Sequence, residues 1–208
     1  MFARFKHWFV NVFWYHYRWH TIGFIAAALM IGSLIYSFAV SKERDVPYMM
    51  LSAGMREAAV TASLDEFLSE TFGDVNGDGT VFNKGDYIDL NMSDTADPQV
   101  VMASQTRLYG TLMGRECALL IYTEGVLDLY EEDDMIVYLD LAKQGIAAAG
   151  DHPGRADVTG HPAIEGAGFG DVRVYAGVVA YDDTGTGALS GQQILALDVI
   201  RALVEGIS

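Results

Sequence analysis

The chain has 208 residues, enough for one ordinary domain and an appendage. Its 51% hydrophobic content and mean hydropathy of +0.19 indicate a membrane segment joined to a water-soluble part. A net charge of −15 excludes nucleic acid as a partner, because phosphate binding needs clustered Lys and Arg, and it excludes broad adsorption to anionic lipid.

The charge is unevenly distributed. Residues 1–40 hold Arg4, Lys6 and Arg18 and no acid, a charge of +3, whereas the rest carries 10 basic and 28 acidic residues, a charge of −18. The first 21 residues include FKHWFVNVFWYHYRWHT, with Trp8, Trp14, Tyr15, Tyr17 and Trp19 close together. Such rings, apolar with one polar tip, concentrate where lipid meets water, so 1–21 reads as a cytoplasmic or interfacial aromatic belt. His7, His16 and His20 lie in it, but no carboxylate or thiol completes a metal site.

Residues 22–40, IGFIAAALMIGSLIYSFAV, carry no charge. As a helix they would extend about 28 Å, close to the roughly 30 Å hydrocarbon core of a bilayer. Positive residues precede this span and the acidic body follows it. The positive-inside rule therefore predicts a cytoplasmic N-terminus and an extracellular 41–208. A cleaved signal peptide is the rival reading, with Ser37-Phe38-Ala39 as a small-x-small site; against it, the apolar run exceeds the usual h-region of about 7–15 residues.

Residues 41–47 read as a polar linker, and 48–208 as one extracellular domain. The stretch 47–53, PYMMLSA, reads as a buried strand, and 55–72 has helical spacing of Ala58, Ala62, Leu64, Phe67 and Leu68. Residues 81–90 read as a strand, 94–98 as a turn and 100–114 as an amphipathic helix. CALLIY, 117–122, is a compact apolar run suited to a central strand buried on both faces, with Cys117 as a small buried residue rather than a reactive thiol. A short helix is expected at 126–130. Residues 137–141 fit a strand or a helix equally. The Gly-, Pro- and Asp-rich 145–171 reads as a long loop carrying exposed His152 and His161. A strand at 173–181, a turn at 185–191 and a helix at 192–204 close the chain. This order predicts an α/β layer fold with one mixed sheet and helices on its faces.

Between the first helix and the second strand, residues 74–86 read DVNGDGTVFNKGD. Alternating Asp74, Asn76 and Asp78, then Gly79, match positions 1, 3, 5 and 6 of a calcium loop, with Thr80 at position 7 offering its backbone carbonyl. Hard cations such as Ca2+ want six to eight oxygen ligands, and this spacing aims oxygen-bearing side chains inward. Position 12, where a bidentate acid belongs, is Gly85; Asp86 comes one place later and ligates only if the loop bulges. The loop resembles the first half of an EF-hand or dockerin motif. A plain Asx turn is the other reading.

Two further resemblances exist. WYHYRWHTI before a single span, DVNGDG after the first helix, and QTRLYGTLMGRECALLIY together look like uncharacterised single-pass envelope proteins of Gram-positive, clostridia-like bacteria. Residues 105–122 are also similar to part of one lobe of extracytoplasmic solute-binding proteins. The envelope-protein likeness implies no activity; taken with the apolar span and the acidic loop, the expectation is a membrane-tethered extracellular domain, stabilised by calcium, that binds a protein or small solute without catalysis. The alternative is an envelope hydrolase acting on cell-wall or carbohydrate material through paired carboxylates. Such an enzyme should converge two acids in a cleft at the carboxyl ends of the strands.

Overall fold

The structure is a computed structural model describing residues 15–40, 42–53, 61–90, 97–126, 136–150, 152–169, 171–181 and 188–207, with backbone alone at 15–18 and 37–40. The chain divides into two units, 1–43 and 44–208.

Among the described residues of the first unit one helix, α1, runs Tyr15–Val40. It extends the expected span by about two turns into the aromatic segment. Residues Trp19–Tyr36 form a window long and apolar enough to cross a membrane, and none of it is buried within the chain. Length and composition alone fit a membrane span and a signal sequence equally.

The second unit begins at Arg44, so the end of the expected linker belongs to the folded body; Asp45 and Val46 are already buried. Among the described residues its five strands are β1 (Tyr48–Ser52), β2 (Asp86–Asp89), β3 (Leu119–Thr123), β4 (Ala156–Asp157) and β5 (Val174–Val178). They pair in the order β2-β1-β3-β5-β4. β1 is parallel to β2 and β3, while β5 is antiparallel to β3 and β4. The expected mixed sheet is present. All five residues of β1, β3 and β5 are buried, as continuous apolar runs covered on both faces require.

The α-helices among its described residues are α2 (Ala62–Phe72), α3 (Pro98–Met113), α4 (Pro162–Glu165) and α5 (Gly191–Glu205). Strand parity sorts the core. Tyr48, Met50, Tyr87, Leu119, Ile121, Val174 and Ala176 face one side and pack with Leu64 and Leu68 of α2, Ile164 of α4 and Ile200 and Leu203 of α5. Met49, Leu51, Ile88, Leu120, Tyr122 and Tyr175 face the other side, with Leu108 of α3. Local chemistry sets the helix starts. Pro98 sits at the head of α3 behind Asp97, whose carboxylate accepts the Gln99 N–H. Ser190 and Gln193 form a reciprocal capping box on α5, and the Gln193 side chain also donates to Val179 O at 2.8 Å.

Several expectations change. The strand expected over 81–90 is confined to Asp86–Asp89; upstream of it Phe82 bonds to Asp45, Asn83 to Val46 and Gly85 to Asp65 rather than continuing the strand ladder. The ambiguous 137–141 forms neither element; Tyr138 makes one antiparallel bridge to Val179. The long loop 145–171 contains β4, α4 and a buried set including Val158, Ile164 and Phe169. A two-residue strand and a one-turn helix are too short to show a period. His161 is buried there rather than exposed, since it caps α4. The first turns of the 55–72 helix, most of the 94–98 turn, the 126–130 helix and the tip of the 185–191 turn lie outside the described residues.

Candidate functional site

The loop after α2 is built by backbone N–H groups converging on side-chain oxygens. Gly73 ends α2 with φ of +62°, and Gly77 and Gly79 take φ of +74° and +82°, a region an L side chain occupies only with strain. Those turns aim successive amides inward. Asp74 Oδ1 accepts from Gly77 N at 2.7 Å and Asp78 N at 3.1 Å, and its Oδ2 accepts from Gly79 N at 2.8 Å. Asn76 Oδ1 accepts from Asp78 N at 2.8 Å. Asp78 Oδ1 accepts from both the amide and the hydroxyl of Thr80 at 2.7 Å. Asp74, Asn76, Asp78 and Thr80 are thus brought together.

Asp86, the expected fifth member, is placed differently. It opens β2, and both of its oxygens face arginine: Arg44 at 2.9 and 3.0 Å and Arg107 at 2.9 Å. Burial alone would push its carboxyl pKa up, but the hydrogen bond and charge of Arg44, with Arg107 beside it, hold it below the ordinary value. Among the described residues no three His, Cys, Asp or Glu side chains form a group able to hold a metal ion.

Sequence spacing gave no hint of Asp45, which organises this region from 30 residues upstream. Its buried carboxylate accepts from Val75 N at 2.9 Å, Asn76 N at 3.2 Å and Phe82 N at 2.7 Å. Its own N–H donates to Phe82 O at 3.1 Å. Next to it, Val46 N donates to Asn83 Oδ1, and the Asn83 amide donates to Ser69 of α2. The loop is therefore fastened at both ends to the start of the domain.

A second feature lies where β3 ends. Thr123 pairs with Val174, Glu124 N donates to Arg173 O at 2.8 Å, and Asp157 at the end of β4 pairs with Tyr175. This is the carboxyl-end side of the parallel strands, the usual position of ligands on such sheets. A cleft of about 410 Å³ opens there, lined by Glu124, His152, Arg155, Asp157, Arg173 and Tyr175. Arg155 is nine-tenths buried with its guanidinium 5.8 Å from the Tyr175 ring centre. Arg173 is exposed; its hydrogen bond to Tyr175 and the charges of Glu124 and Asp157 raise its pKa. Asp157 Oδ1 accepts from the Thr159 amide and hydroxyl. None of Asp74, Asn76, Asp78, Thr80 or Asp86 lines this cleft.

Cys117 offers no chemistry. Burial pushes its thiol up to about 12, and the sulfur donates to the Leu119 carbonyl at 3.1 Å. Comparison with protein-family models, curated proteins and solved structures finds no match to this chain.

Proposed function

We propose that the chain is a membrane-anchored extracellular binding domain, stabilised by calcium and without catalytic activity. The observation that carries the reading is α1: an 18-residue apolar window with no part buried, preceding an α/β unit that has its own closed core. An apolar surface of that length is stable in a bilayer and poorly soluble in water. The +3 charge of residues 1–40 against −18 beyond supports a cytoplasmic N-terminus and an outward-facing domain.

Calcium is the cofactor this reading adds. Asp74, Asn76, Asp78 and Thr80 present only oxygen donors, which suits a hard cation, and the glycine turns hold them in one short loop. A bound divalent ion would neutralise Asp74 and Asp78 and pin the loop. With Asp86 committed to arginine, the set lacks a firm bidentate acid, which corresponds to weak affinity, about 10⁻⁴–10⁻³ M.

The hydrolase alternative has one observation in its favour, since Glu124 and Asp157 line the same cleft. That cleft also holds Arg155 and Arg173, and Asp157 is engaged by Thr159. This arrangement favours binding over a proton-transferring acid pair.

Fractionation with protease protection tests the anchor. The full-length chain should stay with membranes through alkaline carbonate washing, and protease added outside intact cells should digest residues beyond 44. Recovery of a shortened soluble chain, or of a domain shielded from external protease, would refute the reading.

A further inference from the structure

Asparagine occurs in the chain as Asn11, Asn76, Asn83 and Asn91, and Asn76 alone is followed by glycine. That pair stands at an exposed turn of the loop after α2. Gly77 takes φ of +74°, and no described atom lies within 4 Å of where a Cβ there would stand. The Gly77 amide nitrogen therefore has no side chain shielding it, and it adjoins a carboxamide that is itself exposed. We propose that Asn76 is a self-modification site, converted to aspartate or isoaspartate by the Gly77 amide nitrogen, and that the hydrogen bonds of the loop act as the lock on that reaction.

The reaction consumes one water and needs no oxidant, reductant or bound ion. The Gly77 nitrogen attacks Asn76 Cγ and gives up its proton. The N–Cγ bond forms, the Cγ–Nδ2 bond breaks, and Nδ2 leaves as ammonia with that proton. Water then opens the five-membered imide. Opening at Cγ yields aspartate; opening at the Asn76 backbone carbonyl yields isoaspartate, with the chain rerouted through the side chain. Either product places a third carboxylate between Asp74 and Asp78, where like charges repel.

Three hydrogen bonds hold the reacting groups. Asp45 accepts from Asn76 N at 3.2 Å, Asp74 Oδ1 from Gly77 N at 2.7 Å, and Asn76 Oδ1 from Asp78 N at 2.8 Å. Bringing Gly77 N to bonding distance of Cγ rotates the Asn76 side chain and the peptide after it, and all three bonds resist that rotation. The rate thus follows the fraction of time the loop is open. Asp45 is buried and lies 31 residues upstream of Asn76, so the lock belongs to the fold and not to the local sequence.

Ageing the full chain in detergent micelles, with chelator and at mildly alkaline pH, tests this. Peptide mass spectrometry with fragmentation locates each new acid. Asn76 should convert ahead of Asn11, Asn83 and Asn91, and Asn76→Gln, whose ring would need an extra carbon, should lack the product. Urea should speed conversion by about tenfold or more. Asp74→Ala, at an exposed position, should speed it in the folded chain, with folding checked by circular dichroism. Conversion of another asparagine first would overturn the site. Equal or slower conversion in urea, or in folded Asp74→Ala, would overturn the lock. Each outcome leaves the anchored-domain reading untouched, because the chelator removes any ion from the comparison.

Discussion

Arg44 and Asp86 meet through two contacts, Nη2 to Oδ1 at 3.0 Å and Nη1 to Oδ2 at 2.9 Å, so the first residue of the folded unit is tied to the start of β2. Arg107 of α3 joins the same carboxylate at 2.9 Å. The three side chains connect the irregular segment that leads into β1, an edge strand and a helix. Asp86→Asn should destabilise the domain by about 1–2 kcal/mol, a figure reduced for partial solvent screening. The pH dependence has a definite sign. The folded pKa of Asp86 is depressed, so its contribution is complete above the unfolded value of about 3.9 and is lost as pH falls through the folded value. Urea midpoints of the wild-type chain and Asp86→Asn should converge as pH drops below about 4.

Asp45 has a larger structural role, because a buried carboxylate accepting three amides leaves several groups unsatisfied when it is removed. Asp45→Ala should cost about 2–4 kcal/mol. It should also free the 74–82 segment, seen as faster amide hydrogen exchange and earlier cleavage there than elsewhere in the domain.

Gly85 packs against Tyr48. A Cβ at this position would overlap the Tyr48 ring. That ring is fully buried, and its hydroxyl donates to Asp65 at 2.6 Å, so it has nowhere to move. The Gly85 amide also donates to Asp65 at 2.9 Å. Gly85→Ala should destabilise by about 1–3 kcal/mol through overpacking, measured as a lower urea midpoint with unchanged slope.

His161 makes the domain sensitive to mild acid. Its Nδ1 accepts from Ala163 N at 3.2 Å, capping α4, and its ring packs edge-on against Phe67 at 4.5 Å between centroids. Burial lowers its pKa. The unfolded chain therefore takes up the proton first. Stability is complete above about pH 6.5, falls as pH drops through that value, and levels off below the folded pKa. His161→Asn retains a capping oxygen and cannot titrate, so its urea midpoint should be flat between pH 7 and 5 where the wild type declines.

Much of the α/β layout was legible because β1, β3 and β5 are unbroken apolar runs such as CALLIY, and because α3 and α5 carry strong caps at Asp97 and Ser190. Pairing partners were not legible. Nothing local tells β5 to run antiparallel beside β3, or to pick up the two-residue β4 from a stretch dominated by glycine and proline. The loop was visible through its spacing, since each of Asp74, Asn76, Asp78 and Gly79 acts within a few residues of its own position. Asp45 and the Arg44–Asp86 pair were invisible, because their partners are 30 to 42 residues away. The cleft was hidden for the same reason: Glu124, Arg155 and Arg173 meet only after the sheet has formed.

Calcium dependence of folding is the most direct test. Thermal melts of the full chain in detergent should be compared in 10 mM calcium, in magnesium and in chelator. With a Kd of about 10⁻⁴–10⁻³ M, mass action gives about 1.4–2.7 kcal/mol of stabilisation at that calcium concentration, a rise of roughly 3–10 °C in Tm. The rise should be much smaller in magnesium and absent in Asp78→Ala. Superimposable curves in calcium and chelator would contradict the account.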